Sequence, residues 1–271
     1  MPDTTLFERS PAPRAIGAVN GRGLWTLYVK EVRRFLNVYT QTLLAPMVTS
    51  LLFLAIFALA LGGAGRVSAG VDYITFLAPG LIMMTMMQNA FANTSSSLVI
   101  AKVQGNIVDV LMPPLNAGEL VLGFAGGGLT RGIVVGLAAG LAMWVFVPLR
   151  LHEPLAVLYF AVNASLMLSL LGMIGGLWAE KFDHIAAVTN FLITPLSFLS
   201  GTFYSIERLP ENAVFIAHFN PFFYLIDGFR YGFIGRADSS VLLGAGVVLA
   251  VNLVLWAVIH RLFAIGYRLK P

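Results

Sequence analysis

Six long apolar stretches, separated by short polar segments, dominate the chain. Each is long enough to cross a membrane as a helix, because about 20 mostly apolar residues span a hydrocarbon core of about 30 Å. The stretches cover residues 43–61, 73–100, 120–147, 155–178, 185–204 and 241–263. The pattern therefore predicts an all-α membrane protein with six transmembrane helices.

Apolar and aromatic residues also recur at helical spacing before the first stretch, opposite a mostly charged side. The apolar side holds Trp25, Tyr28, Val32, Phe35, Leu36 and Tyr39, and the charged side holds Lys30, Glu31, Arg33, Arg34 and Asn37. Such a pattern is typical of an amphipathic helix in the membrane interface; a helix packed on a soluble domain is the alternative. We predict a cytoplasmic segment over residues 1–40 that contains this helix, followed by a membrane domain over residues 41–271.

Two further apolar stretches, residues 213–219 and 221–234, are too short to cross a membrane. They meet at Asn220-Pro221, where proline disfavours helix in the residue before it. We therefore predict a pair of short helices that dips into the outer leaflet before the last span. Non-helical backbone at that depth is tolerated only when it is buried in protein or faces water, so this re-entrant hairpin is expected to cap a cavity.

Composition agrees with a membrane location, since 58% of the 271 residues are hydrophobic and 11% are charged, against about 25% charged in soluble domains. The mean hydropathy is +0.83. Basic residues fix the orientation, because they accumulate on the cytoplasmic side. Eleven basic residues fall on the side of the N-terminus: Arg9, Arg14, Arg22, Lys30, Arg33, Arg34, Lys102, Lys181, Arg261, Arg268 and Lys270. Five fall on the other side: Arg66, Arg150, Arg208, Arg230 and Arg236. Both termini are predicted to be cytoplasmic.

The charge pattern offers no nucleic-acid groove, because basic and aromatic residues are interleaved only in the amphipathic segment. The chain has no cysteine, which excludes disulfides, thiolate catalysis and cysteine metal sites. None of its lysines follows a glycine, so a P-loop for ATP is absent as well.

Hydrolytic enzymes are equally poorly supported. His152-Glu153 is followed by Pro154, Leu155 and Ala156, which does not match the H-E-x-x-H zinc motif. The single Ser-Gly pair, Ser200-Gly201, lacks the preceding glycine of an intramembrane serine protease. We therefore predict no catalytic residues and no metal site in this chain.

Acidic residues are missing from the interior of the apolar stretches. Glu119 and Asp183 lie at predicted span ends, and Asp227 lies in the re-entrant hairpin. Ion-coupled transporters ordinarily keep carboxylates within their spans. A transport function would therefore need a source of energy outside this chain.

Neutral polar residues form two stripes at helical spacing within the spans. The second span carries Thr85, Asn89, Asn93 and Ser97, and the fifth carries Asn190, Thr194 and Ser197. Interhelical hydrogen bonds, worth about 0.6 kcal/mol each, are one interpretation. The other is that the two stripes line a cavity for an amphipathic substrate.

Arg131 is the one charge predicted well inside a span. A charge at the centre of a bilayer costs roughly 2.5 to 3.5 kcal/mol on insertion scales. The third helix could begin later than residue 120, which would let Arg131 reach the inner interface. The alternative is a role in gating, or in binding anionic groups.

Glycines recur at every fourth position of the third span, as Gly128, Gly132, Gly136 and Gly140, and as Gly172 and Gly176 in the fourth. Small residues at this spacing let helix backbones approach closely. They predict packing seams, with a hinge at residues 126–128 as the alternative.

The loop between the second and third spans, residues 102–118, is long enough to contain a helix of its own. Residues 104–112 could form it, since Pro113-Pro114 cannot continue a helix. The residues that this helix would offer to a partner are Gln104, Ile107, Val108, Val110, Leu111 and Met112. An ordinary connecting loop is the alternative.

The sequence around the re-entrant hairpin resembles the ABC type-2 permease family. The string N-P-F-F-Y-L-I-D-G-F-R at residues 220–230 follows F-L-S-G-T-F-Y at residues 198–204 and Leu209-Pro210. The likeness covers nearly the whole chain, including the amphipathic start, the six spans and the inner loop. Ser205 departs from it, because many relatives place proline after the tyrosine, and this leaves the subfamily open.

The resemblance implies a half-transporter in a bacterial inner membrane that forms a homodimer and binds two separate ATPase subunits. ATP and Mg²⁺ would bind to those subunits, and the inner loop would contact them. The re-entrant hairpin would form the outer gate, with Asn220, Pro221, Tyr224, Asp227 and Arg230 as its marked residues.

The substrate is less well indicated. The aromatic residues of the re-entrant hairpin favour a hydrophobic, drug- or lipid-like molecule; they are Phe222, Phe223, Tyr224, Phe229, Tyr231 and Phe233. Export of a polysaccharide or a lipid-linked sugar is the alternative within the family. A non-transporting assembly or channel subunit is the alternative from another class.

Overall fold

The computed structural model describes residues 17, 19–61, 67–68, 70–206 and 210–269. Most of the predicted N-terminal segment before Gly21 lies outside these residues. So do Arg9, Arg14, Arg66, Arg208 and Lys270 of the charge count, and Leu209 of the family string.

Helices account for nearly all of the regular structure in the described residues. They are α1 (Gly21–Leu36), α2 (Ala45–Leu61), α3 (Tyr73–Val103), α4 (Ile107–Leu111), α5 (Ala117–Trp144), α6 (Pro154–Trp178), α7 (Phe182–Val188), α8 (Thr194–Leu199), α9 (Glu211–His218), α10 (Pro221–Ile234) and α11 (Val241–Ala264). A π-helical turn over Thr40–Leu44 leads into α2, and another over Thr189–Ile193 joins α7 to α8. Two short strands, β1 (Val67–Ser68) and β2 (Val71–Asp72), pair antiparallel.

Six helical segments of the described chain are long and apolar enough to cross a membrane. They are Thr40–Ala60, Tyr73–Val103, Ala117–Trp144, Pro154–Trp178, Phe182–Leu199 and Val241–Ala264. These bounds match the six apolar stretches to within a few residues. The prediction of an all-α, six-span membrane protein is confirmed.

The third and fifth spans differ most from their predicted bounds. The third begins at Ala117, before the predicted residue 120, so it does not begin later as one interpretation of Arg131 required. The fifth ends at Leu199 instead of residue 204. Its early end coincides with Gly201, whose φ of +76° is left-handed and stops a helix.

Helix α3 lies at the centre of the bundle. In its most apolar window 83% of the residues are buried, against 11% in the first and fifth spans and 22% in the last. The neighbours that pack most extensively on α3 are α6 and α5. The first and fifth spans therefore present broad apolar faces to the outside of the single chain.

The glycine seams bring α3, α5 and α6 together. A Cβ at Gly132 would lie 2.6 Å from Ser165 Oγ of α6, and one at Gly176 would lie 2.9 Å from Leu98 Cβ of α3. Only glycine fits at such separations, so the predicted packing seams are present. On the α1 side, a Cβ at Gly127 would overlap Glu31 Cβ, and one at Gly126 would lie 3.3 Å from Tyr28 Cδ2, which gives both glycines a packing role as well.

Candidate functional site

The polar stripe of α3 faces other helices of the same chain. Thr85 Oγ1 lies 2.6 Å from Ser50 Oγ of α2, and Asn89 Oδ1 accepts from Arg131 of α5 at 2.9 Å. Ser97 donates its hydroxyl to Glu31 of α1 at 2.7 Å. The stripe thus makes the contacts that interhelical hydrogen bonding requires, and its role in contacting substrate stays a prediction.

Glu31 and Arg34 of α1 connect this helix to α3. Glu31 is 0% exposed and pairs with Arg34 at 3.3 Å. Arg34 donates to the Asn93 carbonyl at 2.6 Å, to Asn93 Oδ1 at 3.0 Å and to Ser96 Oγ at 3.2 Å. Charge-assisted hydrogen bonds of this kind are about twice as strong as neutral ones, so α1 is tied to α3 and does not only rest on a membrane surface.

The burial of Glu31 is not expected from the amphipathic pattern, which places this residue on the charged side. The spacing of the neighbouring apolar residues nevertheless indicates that Glu31 is buried. Glu31 lies four residues after Leu27 and four before Phe35, and all three side chains are buried on one face of α1. A carboxylate within an apolar i, i+4, i+8 series indicates a buried partner, here Arg34 together with a hydroxyl group.

Arg131 joins the same region from α5. Its Nη2 donates to Asn89 Oδ1 at 2.9 Å, and no carboxylate of the described chain pairs with it. It lies near the middle of α5, which runs from Ala117 to Trp144. We refer to Glu31, Arg34, Asn89, Asn93, Ser97 and Arg131 as the buried polar cluster.

The polar residues of the fifth span are not part of this cluster. Asn190 is exposed and Thr194 is partly exposed. Ser197 is buried, but it donates its hydroxyl to Ile193 of its own helix at 2.7 Å. Among the described residues no hydrogen bond joins the two stripes, and their role as walls of a substrate cavity stays a prediction.

The inner loop contains a short helix, as predicted. Helix α4 spans Ile107–Leu111 and is shorter than the predicted residues 104–112. Gln104 caps the end of α3 instead, and Gly105 follows it with a φ of +75°. This left-handed residue separates the two helices, while Met112 and the two prolines close α4.

Helix α4 turns one face toward the protein and one toward solvent. Ile107 and Val110 are 3% and 7% exposed, whereas Val108 and Met112 are 53% and 76% exposed. Leu111 is intermediate. Of the predicted docking residues, Gln104, Val108, Met112 and part of Leu111 therefore remain available to a partner, whereas Ile107 and Val110 pack into the core of this chain.

Glu119 links the end of the inner loop to α1. Its carboxylate accepts from the backbone N–H of Asn116 at 2.7 Å and from that of Asn20. The Asn116 side chain accepts in return from the Glu119 N–H at 2.9 Å, which completes a capping box at the start of α5. The Asn20 side chain reaches the Pro114 carbonyl at 3.3 Å. A displacement of the inner loop would thus be transmitted to α1 and α5 together.

At the end of the bundle that holds the re-entrant hairpin, Asn220 joins this hairpin to the fifth span. Its amide donates to Ser200 Oγ at 2.7 Å and to the Leu196 carbonyl at 3.0 Å. Its oxygen caps α10 by accepting from the Phe222 N–H at 3.1 Å. Pro221 occupies the first helical position, where its missing N–H has no consequence. The predicted break between two short helices is confirmed.

Asp227 and Arg230 hold α10 in place from opposite sides. Asp227 accepts from the N–H groups of Asp238 and Ser239 at 2.8 and 2.9 Å, which fixes the turn before α11. Arg230 is buried, donates to the Gly201 carbonyl at 2.7 Å, and stacks on the Phe76 ring at 3.8 Å.

Tyr224, the remaining marked residue of the hairpin, packs against Gly244 of α11. Asn220, Arg230 and Tyr224 thus connect α10 to α8, α3 and α11, and the gating role that the resemblance implies stays a prediction.

A large apolar groove lies between α6, the fifth span and α9, and it is lined in part by the re-entrant hairpin, which is expected from the sequence to cap a cavity. Its volume is about 930 Å³. Its walls include Leu171, Ile174, Gly175, Trp178, Leu192, Leu196, Ile216 and Phe219. It extends from Trp178 at one end of α6 to Asn220 and Tyr204 at the hairpin. We call this feature the apolar groove.

Comparisons with known proteins agree with this architecture. Residues 22–234 match the family model described as ABC-2 type transporter. The chain is 37% identical over 242 residues to the inner membrane transport permease YadH of Escherichia coli strain K12, covering 88% of this chain and 94% of that protein.

Less similar relatives also align with this chain over most of its length. Nodulation protein J of Rhizobium leguminosarum bv. viciae is 28% identical over 242 residues, which cover 86% of this chain and 89% of the relative. Nodulation protein J of Sinorhizobium fredii is 28% identical over 235 residues, with 82% of each chain covered. The six spans, the re-entrant hairpin and a family match across most of the chain lead to one conclusion: this multi-pass inner-membrane permease belongs to the ABC-2 type transporter family.

Proposed function

We propose that this chain is the membrane subunit of an ATP-driven exporter that moves a hydrophobic or amphipathic, drug- or lipid-like molecule out of the cytoplasm or the inner leaflet. The apolar groove is the observation that carries the choice of substrate. Binding sites for small molecules are concave and mostly apolar, with few polar groups. The groove matches this description, since its polar groups are concentrated near its two ends.

Energy is proposed to come from two ABC ATPase subunits that bind ATP and Mg²⁺, because this chain has no P-loop. The exposed Val108 and Met112 of α4 support a docking site on the cytoplasmic side. The first and fifth spans, only 11% buried, support a homodimer that also contacts membrane lipid. Both termini would be cytoplasmic, and no nucleic acid is involved.

The test is ATP hydrolysis by the permease reconstituted with its ATPase in proteoliposomes. A fluorescent short-chain phospholipid and a hydrophobic dye are expected to stimulate hydrolysis and to be transported. A soluble oligosaccharide is expected to do neither. Stimulation by the oligosaccharide alone would favour polysaccharide export, and a stable oligomer that conducts solute without any ATPase would favour a channel subunit.

A substitution in the groove links the activity to this site. Gly175→Leu fills the groove, and its Cβ fits, because the nearest atom, Phe91 Cζ, would be 3.6 Å away. Gly140→Leu is the matched control on α5, where the nearest atom, Ile82 Cδ1, would also be 3.6 Å away. Gly175→Leu should reduce transport of the phospholipid several-fold, while Gly140→Leu leaves it unchanged. Equal transport by both variants would exclude the groove as the substrate site.

A further inference from the structure

Positive charge exceeds negative charge in the buried polar cluster. Arg34 is held by Asn93 and Arg131 by Asn89, and these two asparagines lie one helical turn apart on α3, roughly 6 Å along its axis. Glu31 is the one carboxylate of the cluster, and it pairs with Arg34. Arg131 has no ion pair among the described residues, so one positive charge is left uncompensated.

Hydrogen-bond donors are in excess at the same place. Arg34 Nε, Asn93 Nδ2 and Arg131 Nε are buried and have no acceptor within the described chain. Each is an N–H group, and an unpaired buried donor costs about 1–3 kcal/mol. One anionic oxygen ligand would supply both the missing negative charge and missing acceptors. The cluster therefore has the chemistry of an anion site.

The depth of the cluster narrows the choice of anion. Helix α1 runs beside the first half of α5, with Leu27 against Gly123 and Tyr28 against Gly126. On this stretch of α1, Lys30 and Arg33 are exposed, and exposed charges lie in water or among headgroups and not in hydrocarbon. With cytoplasmic termini, this level is the headgroup region of the inner leaflet.

Helix length agrees with that placement. Helix α3 has 31 residues and is about 46 Å long at 1.5 Å per residue, which exceeds a hydrocarbon core of about 30 Å. If the excess lies at the Val103 end, it moves the cluster toward the inner leaflet, because Asn93 and Ser97 lie in the half of α3 that ends at Val103 and Asn89 lies beside the midpoint of the helix.

The cluster can be approached from outside the chain. Arg131 is partly exposed, and the side chain of Arg34 is 26% exposed. A cleft of about 520 Å³ between α1, the end of α3 and α4 is lined by Lys30, Arg34 and Ser97, with Asp109 as the one acidic residue. A headgroup could reach the arginines from the bilayer, and a soluble anion could reach Arg34 through the cleft.

We propose that Arg131, assisted by Arg34, binds the phosphate group of an anionic molecule at the inner face of the membrane. A phosphate ester presents several acceptor oxygens and negative charge to two guanidinium groups, the pairing in which arginine is most effective. An anionic phospholipid presents this group in the inner leaflet, and a soluble phosphorylated compound presents the same group from the cytoplasm. This binding is independent of the proposed export activity, because phosphate binding can be measured in the absence of ATP.

The experiment is native mass spectrometry of the full-length chain released from nanodiscs of phosphatidylcholine with and without phosphatidylglycerol. The wild type should retain phosphatidylglycerol in preference to phosphatidylcholine. Arg131→Gln should weaken retention about tenfold, the effect of losing one charged hydrogen bond, and Arg131→Lys should keep part of it. Arg33→Gln, a matched loss of an exposed charge one residue from Arg34, should change little.

A soluble ligand is tested by adding inorganic phosphate to the phosphatidylcholine nanodiscs. Binding of phosphate that Arg131→Gln abolishes, together with displacement of phosphatidylglycerol, identifies a soluble phosphate source. Retained phosphatidylglycerol without phosphate binding identifies the lipid. If Arg131→Gln does not fold, Arg131→Lys decides, because it must still prefer phosphatidylglycerol. Equal retention by the wild type and Arg131→Gln, or no preference in the wild type, overturns the proposal.

Discussion

Gly127 of α5 lies directly against Glu31 of α1, so closely that a Cβ at Gly127 would overlap the Cβ of Glu31. This contact lets α1 approach the bundle far enough for the Glu31 carboxylate to reach Ser97 on α3. The same approach brings Arg34 to Asn93. The glycine is therefore a condition for the buried polar cluster.

Gly127→Ala should separate α1 from α5 and destabilise the protein. Overpacking of a close contact costs about 1–3 kcal/mol, so the unfolding temperature of the purified permease should fall by several degrees. Gly246→Ala is the control, because nothing lies within 4 Å of a Cβ at that position of α11. Equal unfolding temperatures for the two variants would contradict the close packing of α1.

Removing one partner of the ion pair between Glu31 and Arg34 should destabilise the protein more than removing both. Glu31→Leu leaves Arg34 without its carboxylate and should destabilise the protein by up to about 3 kcal/mol, the lower end for a broken buried pair, since Arg34 is partly exposed. The double variant Glu31→Leu with Arg34→Met should recover much of that loss, because no charge is left unpaired. Thermal unfolding of the two single variants and the double variant measures the coupling. Additive losses would show that the pair contributes no coupling energy.

The spans and the break at Asn220-Pro221 could be predicted because local rules determine them, namely apolar length and the effect of proline on the preceding residue. The position of Glu31 between Leu27 and Phe35 indicates its burial, but its partner Ser97 could not be predicted, because it lies 66 residues away. For the same reason, the pattern of the inner loop did not separate buried Ile107 from exposed Val108. The apolar groove forms between α6, the fifth span and α9, so no single segment carries its signature.

Arg230 should be essential for the contact of α10 with Gly201 and with Phe76 of α3. Arg230→Met keeps much of the side-chain volume but leaves the Gly201 and Phe76 carbonyls without this donor, at about 1–3 kcal/mol for each buried acceptor. A lower unfolding temperature and a faster proteolytic cleavage of the hairpin are expected. Arg150→Met removes an exposed arginine and serves as the control. Unchanged protease resistance in Arg230→Met would show that the hairpin does not depend on this side chain.

Reporter fusions should place residues 1–40, 101–118, 179–184 and 264–271 in the cytoplasm, as the distribution of basic residues predicts. A reporter that is active only in the cytoplasm should work at the C-terminus and fail after residue 150. Expression of each fusion is checked by immunoblot. A C-terminal reporter that is active only outside would contradict both the six-span topology and the position of the phosphate site in the inner leaflet.

The exposed face of α4 should carry the contact with the ATPase. Val108 and Met112 are one turn apart and both point to solvent, as the anchors of a helix that lies in an apolar groove of a partner do. Replacing both with aspartate should leave insertion and thermal stability intact, because the new charges lie in water in the isolated permease. In the complex the same charges would be buried against an apolar surface, which should weaken docking by about 3 kcal/mol, or more than a hundredfold.

Co-purification with the ATPase and substrate-stimulated hydrolysis measure this loss. Ile265→Asp, at an exposed apolar position after α11, should affect neither. Val110→Asp should instead destabilise the permease itself, because Val110 belongs to the core, and this separates failed docking from failed folding. If the double variant binds its ATPase and exports at the normal rate, the docking surface does not include α4, and the force of ATP-driven closure enters the bundle elsewhere.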